Sequence, residues 1–295
     1  MSDAISTEPR DDATICIVDP GGEDRANVPV TDADHSPGAD PDAFDRTMAP
    51  VAGALLAAAD LQSGESVLDI GCGCGATTLS AAAAVAPSGS VEGVDVTEEA
   101  LDVARRRLEA SPLTNVTLVL GDAQTDSFAT TFDVAISKMG TMFFDDPVAA
   151  FANVRQALRA GGRMRLATWR PMDANHWLVI PGAALLRWIT LPDLAEPGPG
   201  MFAQSDPDAV TAVLRNAGFT SIELEPVTVS LPLGADPDEA LARLAGSGVG
   251  RAALDAVPKA DLPAAMAAVR DALADYADAS GAVRLDAGIW IVSAE

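Results

Sequence analysis

Apolar and polar positions follow two rhythms along this chain. Between residues 65 and 169, short apolar and β-branched runs recur: ESVLDI (65–70), SVEGVD (90–95), VTLVL (116–120), FDVAIS (132–137) and RMRLATW (163–169). Between these runs the apolar residues fall three and four apart, the spacing of one helix face. The segment TEEALDVARRRL (97–108) predicts a helix that opens on Thr97 and buries Leu101, Ala104 and Leu108. DDPVAAFANVRQALRAGG predicts another, with Asp146 as N-cap, Pro147 in the first turn and Gly161 as the stop. Its stripe is Phe151, Val154 and Leu158. Strand and helix in alternation imply an α/β chain with a parallel sheet covered on both faces.

The flanks behave differently. PDAFDRTMAPVAGALLAAA (41–59) places Phe44, Met48, Val51 and Leu55 at helical spacing, and Pro50 predicts a division into two helices. After Trp169, ANHWLVIPGAALLRWI (174–189) predicts an inserted apolar helix broken at Pro181 and Gly182. Residues 205–219 predict a helix started by Asp-Pro and stopped by glycine, followed by a long strand at 221–233. Helical segments at 236–246 and 262–277 precede a last strand at 288–294, expected to pair hairpin-like with 221–233 at the sheet edge. Residues 1–40, rich in Asp, Pro, Gly and Ser, predict a mobile acidic arm whose apolar island ATICIV (13–18) would pin it as a strand or lid. The chain thus divides into the arm (1–40) and one domain (41–295) with cap segments at about 171–204 and 235–281.

Charge narrows the partners. A formal net charge of −24, with lysine only at positions 138 and 259, opposes nucleic acid, because phosphate binding needs clustered cations. No run of about 18 apolar residues suggests a membrane span. The first residues lack the basic and apolar segments of a signal peptide, and three cysteines, two of them one residue apart, make no disulfide framework. The expectation is a soluble cytoplasmic protein, with a homodimer as one assembly it allows.

The densest chemistry lies in VLDIGCGCGATTLS, at the carboxyl end of the first strand, where open α/β sheets hold ligands. Gly71, Gly73 and Gly75 allow close backbone approach or positive φ. The helix that follows, starting near Thr77, turns free N–H groups and its positive dipole end toward whatever the loop holds. Several ligands stay open on this evidence. Cys72 and Cys74 give two metal ligands or a CxC redox pair, while Gly71-x-Gly73-x-x-Ala76 satisfies a dinucleotide fingerprint. A plain tight turn needs no ligand. Three carboxylates keep the loop company. Asp69 can take hydrogen bonds from loop N–H groups or an ammonium, Asp95 both hydroxyls of a ribose, and Asp122, in GDA, an adenine amino group.

This trio around D-x-G-x-G-x-G resembles the class I S-adenosylmethionine-dependent methyltransferases, strongly over about residues 41–170. The stretch ISKMGTMFFDDPVAAFANVRQALRAGGRMRLATWRP is similar to small-molecule enzymes related to the ubiquinone/menaquinone-biosynthesis type, with Lys138-Met139 in place of their usual Arg-Phe. The resemblance implies a Rossmann-like, seven-stranded, mostly parallel sheet with an antiparallel last strand and helical cap insertions. It implies S-adenosyl-L-methionine as cofactor, held by Asp69, Gly71, Cys72, Gly73, Gly75, Asp95, Val96, Asp122, Ala123 and Ser137. Methyl transfer to an O, N or C atom of a small molecule follows. The rivals are an NAD(P)-dependent oxidoreductase and a protein of this fold that binds the donor without transferring methyl. Among acceptor-side candidates, His176 is a base for a hydroxyl acceptor or a surface histidine. Trp169, Trp177, Trp188 and Phe143 form an aromatic cage or ordinary core. Lys138 snorkels to solvent or binds an acidic substrate group.

Overall fold

A computed structural model describes residues 14–15, 28–29, 40–128, 131–190 and 198–295. Strands β1 (Thr14–Ile15) and β2 (Val28–Pro29) pair antiparallel. The remaining expectations for the arm lie outside the described residues.

Helix α1 (Pro41–Ala59) starts on Asp40, whose side chain accepts the Asp42 N–H, and runs unbroken through Pro50. The predicted division does not occur. An interior proline costs about 3 kcal/mol. The buried stripe of Met48, Val51 and Leu55 returns roughly 1.5–3 kcal/mol for each side chain, so packing wins. Next come β3 (Ser66–Ile70), α2 (Ala76–Val85), β4 (Ser90–Asp95), α3 (Glu98–Glu109) and β5 (Val116–Leu120). Helix α3 opens after Thr97 and buries Ala100, Leu101 and Ala104, while Leu108 is only half-buried. Strand β6 (Phe132–Lys138) leads into α4 (Pro147–Ala157), which Asp146 caps by accepting the Ala149 N–H.

Helix α4 ends earlier than its sequence pattern predicts. Leu158 already opens β7 (Leu158–Trp169) and pairs with Phe132. Gly161, at φ 77°, therefore lies in the irregular start of this strand instead of stopping the helix. The bulge between Phe132 and Val134 absorbs the extra residues, and Arg159 pairs there with Asp133.

Helix α5 (His176–Leu185) also runs through its proline, Pro181, without the predicted break. Its Leu185 is buried, and Trp177, Leu178 and Ile180 pack against the core. Helix α6 (Pro207–Asn216) is followed by β8 (Glu223–Gly234), α7 (Pro237–Gly246), α8 (Gly248–Asp255), α9 (Leu262–Ala274) and β9 (Val283–Ala294).

The seven-stranded sheet runs β5-β4-β3-β6-β7-β9-β8. Strands β3 to β7 are mutually parallel, whereas β9 is antiparallel to both of its neighbours. The fold is Rossmann-like, with the anticipated hairpin pair at one edge. One face buries Met48, Val51, Leu55, Val134, Ile136 and Trp169 with α5, α7 and α9. The other buries Leu68, Ala135, Phe151, Val154 and Leu214 under α4 and α6. Chain order reverses between β3 and β6, so a crevice opens above their carboxyl ends. Beyond Trp169, the hairpin of β8 and β9 continues past the sheet's carboxyl edge, where α5 and α7 pack on it and α9 packs on α5 and α7.

Candidate active site

The loop after β3 is held almost wholly by backbone. Gly71, Gly73 and Gly75 have φ of 66°, 53° and 82°, a region that side chains make costly. A Cβ on Gly71 would stand 2.8 Å from the Gly140 Cα, so this loop and the one after β6 touch through bare backbone. The Gly71 and Cys72 N–H groups both donate to the Val94 carbonyl, at 2.9 and 3.1 Å. Gly73 N–H donates to Asp95 Oδ2 at 2.7 Å, and Thr97 N–H to Asp95 Oδ1 at 2.9 Å. Asp95 thus sets the loop's position against the tip of β4. Gly75 begins α2 without a side-chain cap, which leaves the first amides of that helix facing outward as donors.

Asp69 has a different surrounding from the one its spacing suggests. It is 1% exposed, and its carboxylate accepts a 2.6 Å hydrogen bond from the Thr78 hydroxyl. The loop N–H groups expected at Asp69 go instead to Val94 and Asp95. Burial pushes the Asp69 carboxyl up to about 7, with Thr78 and then Lys138 opposing the shift. Cys72 is buried, and the Cβ position of Gly93 lies 3.1 Å from its sulfur. Burial raises both the Cys72 and Cys74 thiols, so neither is an easily formed thiolate. Ser137 is fully buried, and its hydroxyl donates to the Ile70 carbonyl at 2.7 Å, pinning the ends of β6 and β3 together.

Two aspartates and two exposed apolar residues complete this side. Asp122, half-buried after β5, accepts the Gln124 backbone N–H at 2.9 Å and also its side-chain amide. Ala123 is buried beside it. Val96 and Leu120, at the tips of β4 and β5, are 65% and 53% exposed, an apolar strip between Asp95 and Asp122.

The side toward β6 and β7 is built from long side chains. Lys138 ends β6, and Met139, at φ 64°, turns the chain sharply while its N–H donates to the Ala167 carbonyl. The Lys138 ammonium lies over the Phe44 ring, 5.1 Å from its centre, and 4.0 Å from Asp45. Arg107 of α3 donates to the Cys74 carbonyl at 2.8 Å and to Asp42 at 2.5 Å, and pairs with Asp45 at 2.7 Å. Burial disfavours its charge, but Asp42 and Asp45 outweigh that and raise its pKa. This fork fastens the first turns of α1 over the glycine loop. Thr141 and Gln204, both buried, exchange two hydrogen bonds at 3.0 and 2.8 Å and tie residues 200–205 to the turn after β6. Sequence reasoning missed Arg107, Asp45, Thr141 and Gln204. The sole hint was the RRR of 105–107 on an otherwise amphipathic helix.

His176, the first residue of α5, is exposed, and the adjoining Asn175 is fully buried. Trp169 and Trp177 pack together with ring centres 5.2 Å apart, and both belong to the core side of the cap. Phe143 is 38% exposed just beyond β6.

Comparison with known proteins decides what this arrangement belongs to. A family model described as a methyltransferase domain matches residues 67–162. Nocamycin O-methyltransferase of Saccharothrix syringae is 33% identical over 202 residues, which cover 65% of this chain and 71% of that protein. The chain belongs to the class I S-adenosylmethionine-dependent methyltransferases. Membership sets aside the nicotinamide-dependent reading of the glycine fingerprint. A demethylmenaquinone methyltransferase of Symbiobacterium thermophilum is 37% identical over 111 residues, 37% of this chain and 44% of its own. The methyltransferase similarity is therefore longest toward the first relative and confined to less than half of the second. The solved YcgJ protein of Bacillus subtilis shares the fold at TM-score 0.53 and 16% identity, over 82% of this chain and 96% of that one. Among the described residues no helix is long and apolar enough to cross a membrane.

Proposed function

We propose that this methyltransferase moves the methyl group of S-adenosylmethionine to an O, N or C atom of a small-molecule acceptor. One observation carries the reading. An uncapped helix start and three left-handed glycines adjoin two carboxylates at successive strand tips, with an apolar strip between those carboxylates.

The residues fit the donor piece by piece. The backbone of Gly71, Cys72, Gly73 and Gly75, with the first amides of α2, would hold its amino-acid end. Asp95 spends one lone pair of each oxygen on the loop and keeps the others for ribose hydroxyls. Val96 would bear the flat purine, with Asp122 and Ala123 at its polar edge. Asp69 and Ser137 would act from behind, through Thr78 and the Ile70 carbonyl. When bound, the donor supplies an electrophilic methyl carbon, whose bond to the sulfonium sulfur breaks as the bond to the acceptor forms. The protein's own task is to align and exclude water. Such positioning is worth about 7–11 kcal/mol in favourable intramolecular cases. The caps at about 171–204 and 235–281 would provide the exclusion, since α5 and α7 stand on the hairpin beyond the sheet's carboxyl edge and α9 packs across them.

If the acceptor is a hydroxyl, His176 would take its proton, and His176→Asn should then lower kcat by about 10²–10⁴-fold. An unchanged pH profile in that variant removes the base assignment. The reading as a whole is tested by calorimetry with S-adenosylhomocysteine and by transfer of labelled methyl to extract metabolites. Binding at micromolar Kd with label in an extractable product supports it. Binding without label transfer favours the non-transferring protein, and no binding ends both.

A further inference from the structure

Lys138 stands out as a cation whose neighbourhood leaves it incompletely satisfied. Its side chain is only 14% exposed, yet among the described residues its ammonium contacts one carboxylate at 4.0 Å, beyond hydrogen-bond range, and a ring face. An ammonium carries three donors, and a partly desolvated one is stabilised when they are filled. The carboxylate it faces is already engaged, because Arg107 holds Asp45 at 2.7 Å and Asp42 at 2.5 Å while donating to the loop carbonyl of Cys74. Among the described residues Arg107 thus has three protein partners within 3 Å, and Lys138 has none.

Its position is set by backbone. Met139 adopts the left-handed region, sparsely populated by side chains other than glycine, and its N–H is bonded to Ala167. The turn fixes Lys138 at the tip of β6, beside the strand-order reversal. The residues that follow the tips of β6 and β7 expose Phe143 and Met172, at 38% and 37%. Cation and apolar surface share the carboxyl end of the sheet, with the ammonium close enough to Asp69 and Cys74 to act on both.

We infer that Lys138 is a specificity-determining residue that binds an anionic oxygen, a carboxylate or phenolate, on an otherwise apolar acceptor. Asp45 holds the ammonium in place until the acceptor arrives and then remains with Arg107. Describing the ligand as an acceptor rests on the function proposed above. The ligand's charge does not.

The chain's two lysines make the test direct. Protein labelled with 13Cε-lysine gives one signal from Lys138 and one from the exposed Lys259, assigned with Lys259→Arg. Free protein and protein saturated with S-adenosylhomocysteine are each titrated with 2-naphthoate and with neutral 2-naphthamide. The expected result is a saturable shift of Lys138 alone, with naphthoate binding at least tenfold more tightly than the amide. Lys138→Met should erase that preference and Lys138→Arg should keep it. Equal binding of the two probes overturns the inference. So does a full shift on adding S-adenosylhomocysteine with nothing further from naphthoate, since the ammonium would then serve the donor. Failure of S-adenosylhomocysteine to bind at all would strike the methyltransferase reading, while the titration of the free protein still decides the role of Lys138.

Discussion

The two sides of the crevice are made of different materials. The side of β3, β4 and β5 is backbone and short side chains: three glycines, an open helix start, and carboxylates one methylene removed from the backbone. The side of β6 and β7 is built from long side chains, brought from α1, α3 and the 200–205 segment to meet around Lys138 and Thr141. The first kind of surface has few rotatable bonds to freeze and suits one invariant ligand. The second kind depends on packing between remote segments and can be changed one residue at a time. A common methyl donor on one side and a variable acceptor on the other is the division of labour that this difference supports.

The contrast can be broken most severely at Gly71. A side chain there must adopt φ 66° and meet the Gly140 backbone at 2.8 Å, so Gly71→Ala should abolish measurable S-adenosylhomocysteine binding in calorimetry. Retained affinity would mean that the loop is not the donor seat. Circular dichroism on the same sample separates lost binding from lost fold.

Asp69 tests whether the donor side carries a stored electrostatic cost. Burial raises its carboxyl from an ordinary 3.8 to about 7, so the folded state takes up a proton that the unfolded state gives away. For such a group the stabilising contribution is complete below about pH 4 and is lost as pH rises through about 7. Asp69→Asn removes that loss while keeping an acceptor for Thr78. Relative to the parent, the variant should gain about 3 kcal/mol of stability between pH 5 and pH 8, at 1.36 kcal/mol per pH unit over the roughly two units from pH 5 to the folded value. Denaturant melts at the two pH values measure it, and parallel curves for the two proteins would refute the buried-charge account.

A smaller effect is expected at Asp95. Ala removes acceptors for the Gly73 and Thr97 amides as well as those proposed for the ribose. At about 1.5–3 kcal/mol for a hydrogen bond to a charged group, donor affinity should fall roughly 100-fold while Tm moves by only a few degrees. Gln204→Leu sharpens the comparison from the other side. It leaves the Thr141 carbonyl and hydroxyl without their buried partner, at a cost of about 1–3 kcal/mol. Thermal unfolding should shift downward and acceptor KM should rise, while S-adenosylhomocysteine affinity stays within twofold. A joint fall of donor and acceptor binding would show that the two sides are one cooperative unit.

Legibility followed the same division. Strand positions, the glycine-rich turn after β3 and the edge hairpin were all readable, since each depends on residues adjacent in the chain or on a period of two or 3.6. The errors fell where packing overruled a local rule. Pro50 and Pro181 sit inside continuous helices because buried apolar stripes outweigh one lost hydrogen bond. Leu158 left its helix because Phe132 offered a strand partner. At the site, the spacing makes Asp69 an acceptor for loop N–H groups or an ammonium, and in the fold the Thr78 hydroxyl, in the first turn of α2, engages it. Beyond the RRR of 105–107, Arg107 and Gln204 gave no usable signal, because their partners lie 33 to 65 residues away, across loops whose path no periodicity encodes.

By itself the sequence determined the α/β order and the switch-point loop, because dihedral preference and hydrophobic period act over a few residues. Only the tertiary structure decided which carboxylate the loop amides bind, which arginine latches α1, and that Lys138 stands beside an aspartate already taken. Those outcomes turn on distances and desolvation between segments far apart in the chain, and neither quantity exists until the chain has folded.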